Sequence, residues 1–337
     1  MHRNLLKDLS RRDFLAASAA GAALAGTGIP SFATAADTPA KSTPETLVKQ
    51  LFDSLKPEQQ KEVCFDWDYQ DPQRGLLRTR ISNNWHISKP VINSNFFTGD
   101  QQKLIREIFE GVIVPEWHAK IYKQLKDDAG GFGNSQNIAI FGKPGDGKFE
   151  MVMTGRHMTL RCDGNSTENV AFGGPIFYGH AASGFDEKPG HPGNVFWEQA
   201  LAANKVYEML DGKQRKLAEV AQTPDEEAVG FQGDKPKPGI SLSELSKDQL
   251  EEVEKTLRIL LSPYRQTDRD EVAECLKAQG GLTKCHMAFY TDEDLGNDRV
   301  WDNWRLEGPA FVWYFRGFPH VHVWANVANT PNVVLNA

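Results

Sequence analysis

Pro319-His320-Val321-His322-Val323-Trp324 reads as a β-strand, and the rest of the chain is best read outward from it. Valine and tryptophan suit a pleated, half-buried surface, and residues two apart on a strand point to the same side. His320 and His322 are therefore expected to project together, and neutral imidazole is the commonest protein ligand for transition metals. Strand-like runs also occupy 149–162, 309–316 and 320–327. Helical patterns surround them. Leu47, Leu51 and Leu55 follow Pro44-Glu45, and Leu104, Ile105, Ile108 and Phe109 follow Gly99-Asp100 in a helix that Pro115 interrupts. Phe196, Ala200, Val206, Met209 and Leu210 form the apolar set of a helix capped at Asn194, and two further helices are predicted at 243–261 and 267–278. Strands and helices mix without the regular βα alternation of a doubly wound sheet. The pattern predicts an α+β fold, a mainly antiparallel sheet with several amphipathic helices packed around it.

The start of the chain carries a different signal. Ser10-Arg11-Arg12-Asp13-Phe14-Leu15, the Ala/Gly-rich run Ala16–Ile29 and Ala33-Thr34-Ala35 together read as a twin-arginine signal peptide over 1–35, cut after Ala35. The run is shorter than the ~20 apolar residues that span a bilayer. The expected partner is thus the twin-arginine export machinery, and the expected location is the periplasm or the exterior of a bacterial cell. Residues 36–44 read as a linker and 45–330 as a single α+β domain, with no later stretch apolar enough to cross a membrane. The formal net charge is −7, and loss of Arg3, Lys7, Arg11 and Arg12 together with Asp8 and Asp13 moves it to −9. An acidic chain without a basic block has no electrostatic reason to hold nucleic acid. Cys64, Cys162, Cys275 and Cys285 form no Cys-x-x-Cys pair, which speaks against a thiolate zinc site; a structural role, paired or buried, is expected, and the spacing of Cys275 and Cys285 allows a local loop closure.

Gly142-Lys143-Pro144-Gly145-Asp146-Gly147-Lys148-Phe149 nearly matches a phosphate-binding loop, but Phe149 stands where the magnesium-binding hydroxyl is needed and a strand follows instead of a helix. It reads as a turn between two strands. Read as one strand, 149–162 puts His157 on a face with Met153, Thr159 and Arg161. Gly173-Gly174-Pro175-Ile176-Phe177-Tyr178-Gly179-His180 is a constrained path ending on His180, while His86, His118 and His286 are explained by packing. His157, His180, His320 and His322 are the candidate metal ligands, and an imidazole-rich set suits copper, zinc or iron. Glu198 and Glu307 are the candidate acid/base residues and Arg161 the candidate substrate-side residue, expected to affect turnover more than folding. Separate hydrogen-bonding roles for the histidines remain the plainer alternative.

Arg80 and Trp85 in Arg80-Ile81-Ser82-Asn83-Asn84-Trp85, then Gly155-Arg156-His157, then Gly308-Pro309 leading to His320-Val321-His322, resemble the family catalogued as domain of unknown function 3500, over about residues 46–328. Its members are often exported bacterial proteins. They commonly carry Gly-His-His where this chain has Gly155-Arg156-His157, and a Gly-Ala-Glu-Pro-like turn where Tyr178-Gly179-His180 stands. The resemblance implies that an acidic ligand can take the place of His180; it implies no reaction. The function expected from the residues is that of an exported metal-dependent enzyme, an oxidoreductase or hydrolase, acting on a small-molecule or envelope ligand. The alternative is a non-catalytic envelope protein that stores or carries metal or binds a ligand.

Overall fold

The computed structural model describes residues 43–164, 166–181, 191, 193–292 and 300–335. The signal peptide, nearly all of the linker and most of the 188–193 loop lie outside the described residues. In chain order the elements are helices α1 (Pro44–Ser54) and α2 (Pro57–Val63), strands β1 (Cys64–Phe65), β2 (Gln70–Asp71) and β3 (Gly75–Leu76), helices α3 (Gly99–Val112) and α4 (Pro115–Ala129), and strands β4 (Gln136–Gly142), β5 (Phe149–Gly155), β6 (Met158–Cys162) and β7 (Ile176–His180). Helices α5 (Trp197–Glu208) and α6 (Gly212–Ala218), strands β8 (Glu219–Val220) and β9 (Ile240–Ser241), helices α7 (Lys247–Leu261) and α8 (Gln266–Ala278), and strands β10 (His286–Tyr290), β11 (Asn303–Gly308), β12 (Phe311–Arg316) and β13 (Val321–Val327) complete it.

Local chemistry explains the helix limits. Thr98 and Gln101 close a reciprocal capping box on α3, and Ser246 and Gln249 do the same on α7. Pro115 sits at the first position of α4, where its missing N–H costs nothing, so it ends one helix and opens the next. Gly130, at φ 71°, stops α4 in the left-handed conformation that glycine adopts without strain.

The strands form one large sheet in the order β1-β4-β5-β6-β7-β13-β12-β11-β10-β8, with β9 beside β10, and its pairings are antiparallel except β1 with β4 and β8 with β10. The fold is therefore α+β with a mostly antiparallel sheet. One face carries Met151, Met153, Leu160, Tyr178, Val321 and Val323 into a single apolar core shared with Leu51, Ile105, Ile121, Ala203 and Leu260 from the helices. The other face carries Phe177, Tyr314 and Trp324, covered by Ile81 and Val229 from irregular segments. Strand β13 is buried along its whole length, so its alternation separates two interiors: Val321, Val323 and Ala325 face the helices, whereas His322 and Trp324 face the loops.

Two expectations change. The run 149–162 is not one strand but a hairpin, β5 and β6 joined by Arg156-His157, with Gly155 opposite Met158. Met153 consequently pairs with Leu160 on the helix-facing side and does not share the side of His157. All four cysteines are free, three of them buried, so the local closure of Cys275 with Cys285 does not form. The turn at 143–148 joins β4 to β5 as expected. Among the described residues no helix is long and apolar enough to cross a membrane.

Candidate metal centre

His157, His320 and His322 come together at the end of the loop-covered face, each offering a ring nitrogen within 4.8 Å of the others. Three structural facts produce this. Residues 320 and 322 share a side of the β13 segment, as the alternation requires. The β5–β6 turn places His157 at φ 50°, a left-handed conformation that costs a histidine roughly 1–3 kcal/mol and aims its ring across the sheet. Its N–H donates to Asn84 Oδ1 at 2.8 Å, which helps to hold that conformation. Finally Gly179, paired with His322 on β7, leaves a gap for the His157 ring: a Cβ there would lie 2.7 Å from His157 Cδ2 and 2.3 Å from the Val321 carbonyl oxygen.

The rings are almost fully enclosed, at 2 %, 6 % and 5 % exposure for His157, His320 and His322. His157 Nε2 lies 3.0 Å from His322 Nε2, and the His320 ring stands 5.1 Å and 4.6 Å from their ring centres. Carboxylates back two of the rings. Asp128, in the last turn of α4, accepts from His157 Nδ1 and takes Arg156 Nε on its other oxygen at 2.8 Å. Glu226, in the irregular segment over the sheet, has one oxygen 3.6 Å from His322 Nδ1 and the other on Arg316, while Asn83 donates to it from the turn before Asn84. An aspartate near a helix C-terminus faces the unfavourable end of the macrodipole, so Asp128 is stable there because of these two cationic or donor partners.

Neither neutral tautomer of His322 suits both of its ring nitrogens. With Asp128 accepting from Nδ1, the neutral His157 ring presents a lone pair at Nε2. If His322 Nε2 donates into it, the His322 Nδ1 lone pair is turned toward the Glu226 carboxylate, and that nitrogen is buried without a hydrogen-bond partner. With the proton at Nδ1 instead, two lone pairs meet at 3.0 Å. A cation between the Nε2 atoms removes either conflict. A second proton on His322 is disfavoured, because burial, then the neighbouring His157 and Arg316, pushes its pKa well below the ordinary value. Burial likewise lowers His157, against the pull of Asp128. Burial alone would raise Asp128, but the hydrogen bond and charge of His157, with Arg156, leave its carboxyl below the usual range.

The other expected residues lie elsewhere. His180 is fully buried opposite Val321, so it leaves the sheet on the helix-facing side and does not join the three. Glu198 is an exposed residue of α5 with Lys120 Nζ at 3.6 Å. Glu307, on β11, is separated from β13 by β12 and binds Arg305 at 2.9 Å. Arg161 is fully occupied: it binds Glu150 at 2.9 Å and the Pro175 carbonyl at 2.8 Å, and Arg78 binds the other Glu150 oxygen at 2.7 Å. Trp324 lies 5.5 Å from His322, edge to face, while Trp304 and Trp313 belong to the helix-side core. Asp128, Glu226, Asn84 and Arg316 were not expected from the sequence.

The model of the family described as protein of unknown function (DUF3500) matches residues 37–324, most of the chain and all three histidines. The chain belongs to this family. None of the curated proteins and none of the solved structures matches it. Membership in DUF3500 carries no named reaction, so the chemistry rests on the site itself.

Proposed function

We propose that this DUF3500 protein binds a transition metal through His157, His320 and His322 and uses it as an enzyme. The observation that carries the reading is the 3.0 Å approach of two Nε2 atoms whose rings are backed at Nδ1 by carboxylates, an arrangement that suits a shared cation. Tetrahedral zinc with Zn–N of 2.0–2.1 Å spaces its nitrogens about 3.3 Å apart, so small ring movements would suffice. Carboxylates behind metal-bound histidines fix the tautomer and raise ligand basicity, which suits Asp128 and Glu226. Copper and iron share the preference for imidazole.

Three imidazoles leave a position for an outside ligand, whereas closed structural zinc sites take four protein ligands; among the described residues the group has only three members. A metal held there would supply Lewis acidity or redox capacity. The protein would hold the rings neutral, keep bulk water away and set the tautomer through Asp128. The near-complete burial of the rings supports the second reading, a carrier or store. Cobalt(II)-loaded protein distinguishes them. Azide should shift the visible bands of an open centre, and bands indifferent to azide would favour storage. Ser10-Arg11-Arg12-Asp13-Phe14-Leu15 supports export through the twin-arginine machinery to the periplasm or beyond, which cell fractionation of wild type and an Arg11→Lys/Arg12→Lys variant tests.

A further inference from the structure

A small cavity of about 20 Å³ lies between α4, the α7–α8 turn and the His157 end of the sheet. The backbone sets its position. Tyr264 pairs with Ile113 in an isolated bridge and the Pro263 carbonyl accepts from Val114 N–H at 2.9 Å, which ties the end of α7 to the break between α3 and α4. Ile113, Ile121, Leu160 and Phe196 give the cavity apolar walls, and Gln124 and Tyr264 interrupt them. The Tyr264 hydroxyl and Gln124 Oε1 have no hydrogen-bond partner among the described residues, although the two residues are only 4 % and 2 % exposed. Charge fixes the Gln124 amide: its Nε2 donates to Asp128 Oδ2 at 3.4 Å, and the reverse orientation would set Oε1 against a carboxylate. Oε1 is therefore left as an acceptor. Tyr178 supplies a third group, since its hydroxyl donates to Gln199 Oε1 at 2.8 Å and accepts from Trp313 Nε1 at 3.3 Å, which leaves one of its two lone pairs.

We propose that this cavity binds a single water molecule, which accepts from the Tyr264 hydroxyl and donates to Gln124 Oε1, and that Tyr264 and Gln124 thereby position Asp128 behind His157. One water needs roughly 10–15 Å³ by this measure and two to four polar partners, so the site has both the room and the partners. A buried phenol and a buried amide oxygen are costly to leave unpaired, whereas the apolar walls offer nothing to an ion. A line of hydrogen bonds runs on from the water. Asp128 Oδ2, on which Gln124 donates, is the same oxygen that accepts from His157 Nδ1. A Gln124 amide pinned by the water shares the charge of that oxygen and holds the carboxylate where His157 keeps its proton at Nδ1. The effect on metal rests on the metal reading above; the water and its effect on the His157 proton do not.

Crystal structures of the metal-free full chain test the site. Wild type should hold one ordered water within about 3.2 Å of both Tyr264 Oη and Gln124 Oε1, and Tyr264→Phe should lose it. In nitrogen-15-labelled protein the His157 Nδ1–H resonance should shift in Tyr264→Phe, while the ring resonances of His286, outside the cavity wall, stay in place. A purely structural role for the phenol would not move that proton. Metal affinity of Tyr264→Phe should fall by up to about 10-fold, the low end for groups behind a ligand. A wild-type cavity without water overturns the proposal, and that result does not depend on Tyr264→Phe folding. An unmoved His157 resonance after loss of the water overturns the positioning role. Water and the resonance shift without metal uptake contradict the metal centre alone, and metal uptake without the water overturns the cavity alone.

Discussion

At the scale of single residues, the site depends on side chains that touch no ligand. Asp128 makes His157 a lone-pair donor at Nε2, so Asp128→Asn, which can present an amide N–H to Nδ1 and reverse the tautomer, should weaken metal affinity about 10–100-fold. Competition titration with a chromogenic chelator reads this, and unchanged affinity would remove Asp128 from the account. Gly179→Ala should lower both metal affinity and thermal stability, since the added carbon meets the His157 ring and the β13 backbone. Equal melting temperature and affinity would contradict that packing. His320 and His322 were legible in the sequence because alternation on a strand is local information. Asp128 and Glu226 were not, because a carboxylate 29 positions before His157 becomes its partner only when α4 packs against the β5–β6 turn.

At the scale of elements, the β5–β6 hairpin decides which neighbours His157 has. The run 149–162 is rich in residues that suit a strand, and only Gly155, at φ 148°, marks the place where the chain reverses. Read as one strand, the side of Met153 came out reversed; within β6, Thr159 and Arg161 keep the alternation expected from His157. Arg161 nonetheless serves the fold. It lies with Arg78 and Glu150 in a fully buried ion cluster between β5, β6 and the segment after β3. Removing one partner of a buried pair leaves an uncompensated charge and costs about 3–5 kcal/mol, so Arg161→Ala should be strongly destabilised in urea unfolding, in contrast to the mild effect expected from sequence. A loss under 1 kcal/mol would contradict the network. The long helices were legible from their caps and apolar spacing, whereas β10 and β11 were not. In β10 both faces are buried, so Met287-Ala288-Phe289-Tyr290 shows no polar alternation; β11 does alternate, Asn303, Arg305 and Glu307 against Trp304 and Leu306, but over only six residues, with its polar side chains buried by partners that lie far off in the sequence.

At the scale of the whole molecule, the sheet divides a helix-covered interior from a loop-covered one that mixes an apolar cluster with the histidines, and titratable groups on each side give stability a pH dependence. His157 and His322 have folded pKa values below the unfolded value of about 6.5. Their contribution is present above that value and lost as pH falls toward the folded values, so the metal-free protein should lose stability on acidification below about pH 6.5. Metal, which needs neutral imidazole, should be retained below 6.5 for the same reason. Glu271 works in the opposite direction. Burial, then the charges of Asp163 and Asp268, pushes its carboxyl up to about 7, so its contribution is present below the unfolded value and is lost as pH rises through 7. Glu271→Gln should therefore gain stability over wild type at pH 8 and not at pH 4, a difference that thermal melts at the two pH values detect; parallel shifts at both would exclude the effect.

The central claim is that His157, His320 and His322 hold one metal ion between them. Elemental analysis of protein loaded with zinc, copper or iron and freed of excess metal tests it most directly, comparing wild type with His320→Ala, His322→Ala and, as a control, the exposed His86→Ala. Wild type and His86→Ala should retain a single ion per chain, and the other two variants should lose it. Equal metal content in all four proteins, or none in any, would contradict the account.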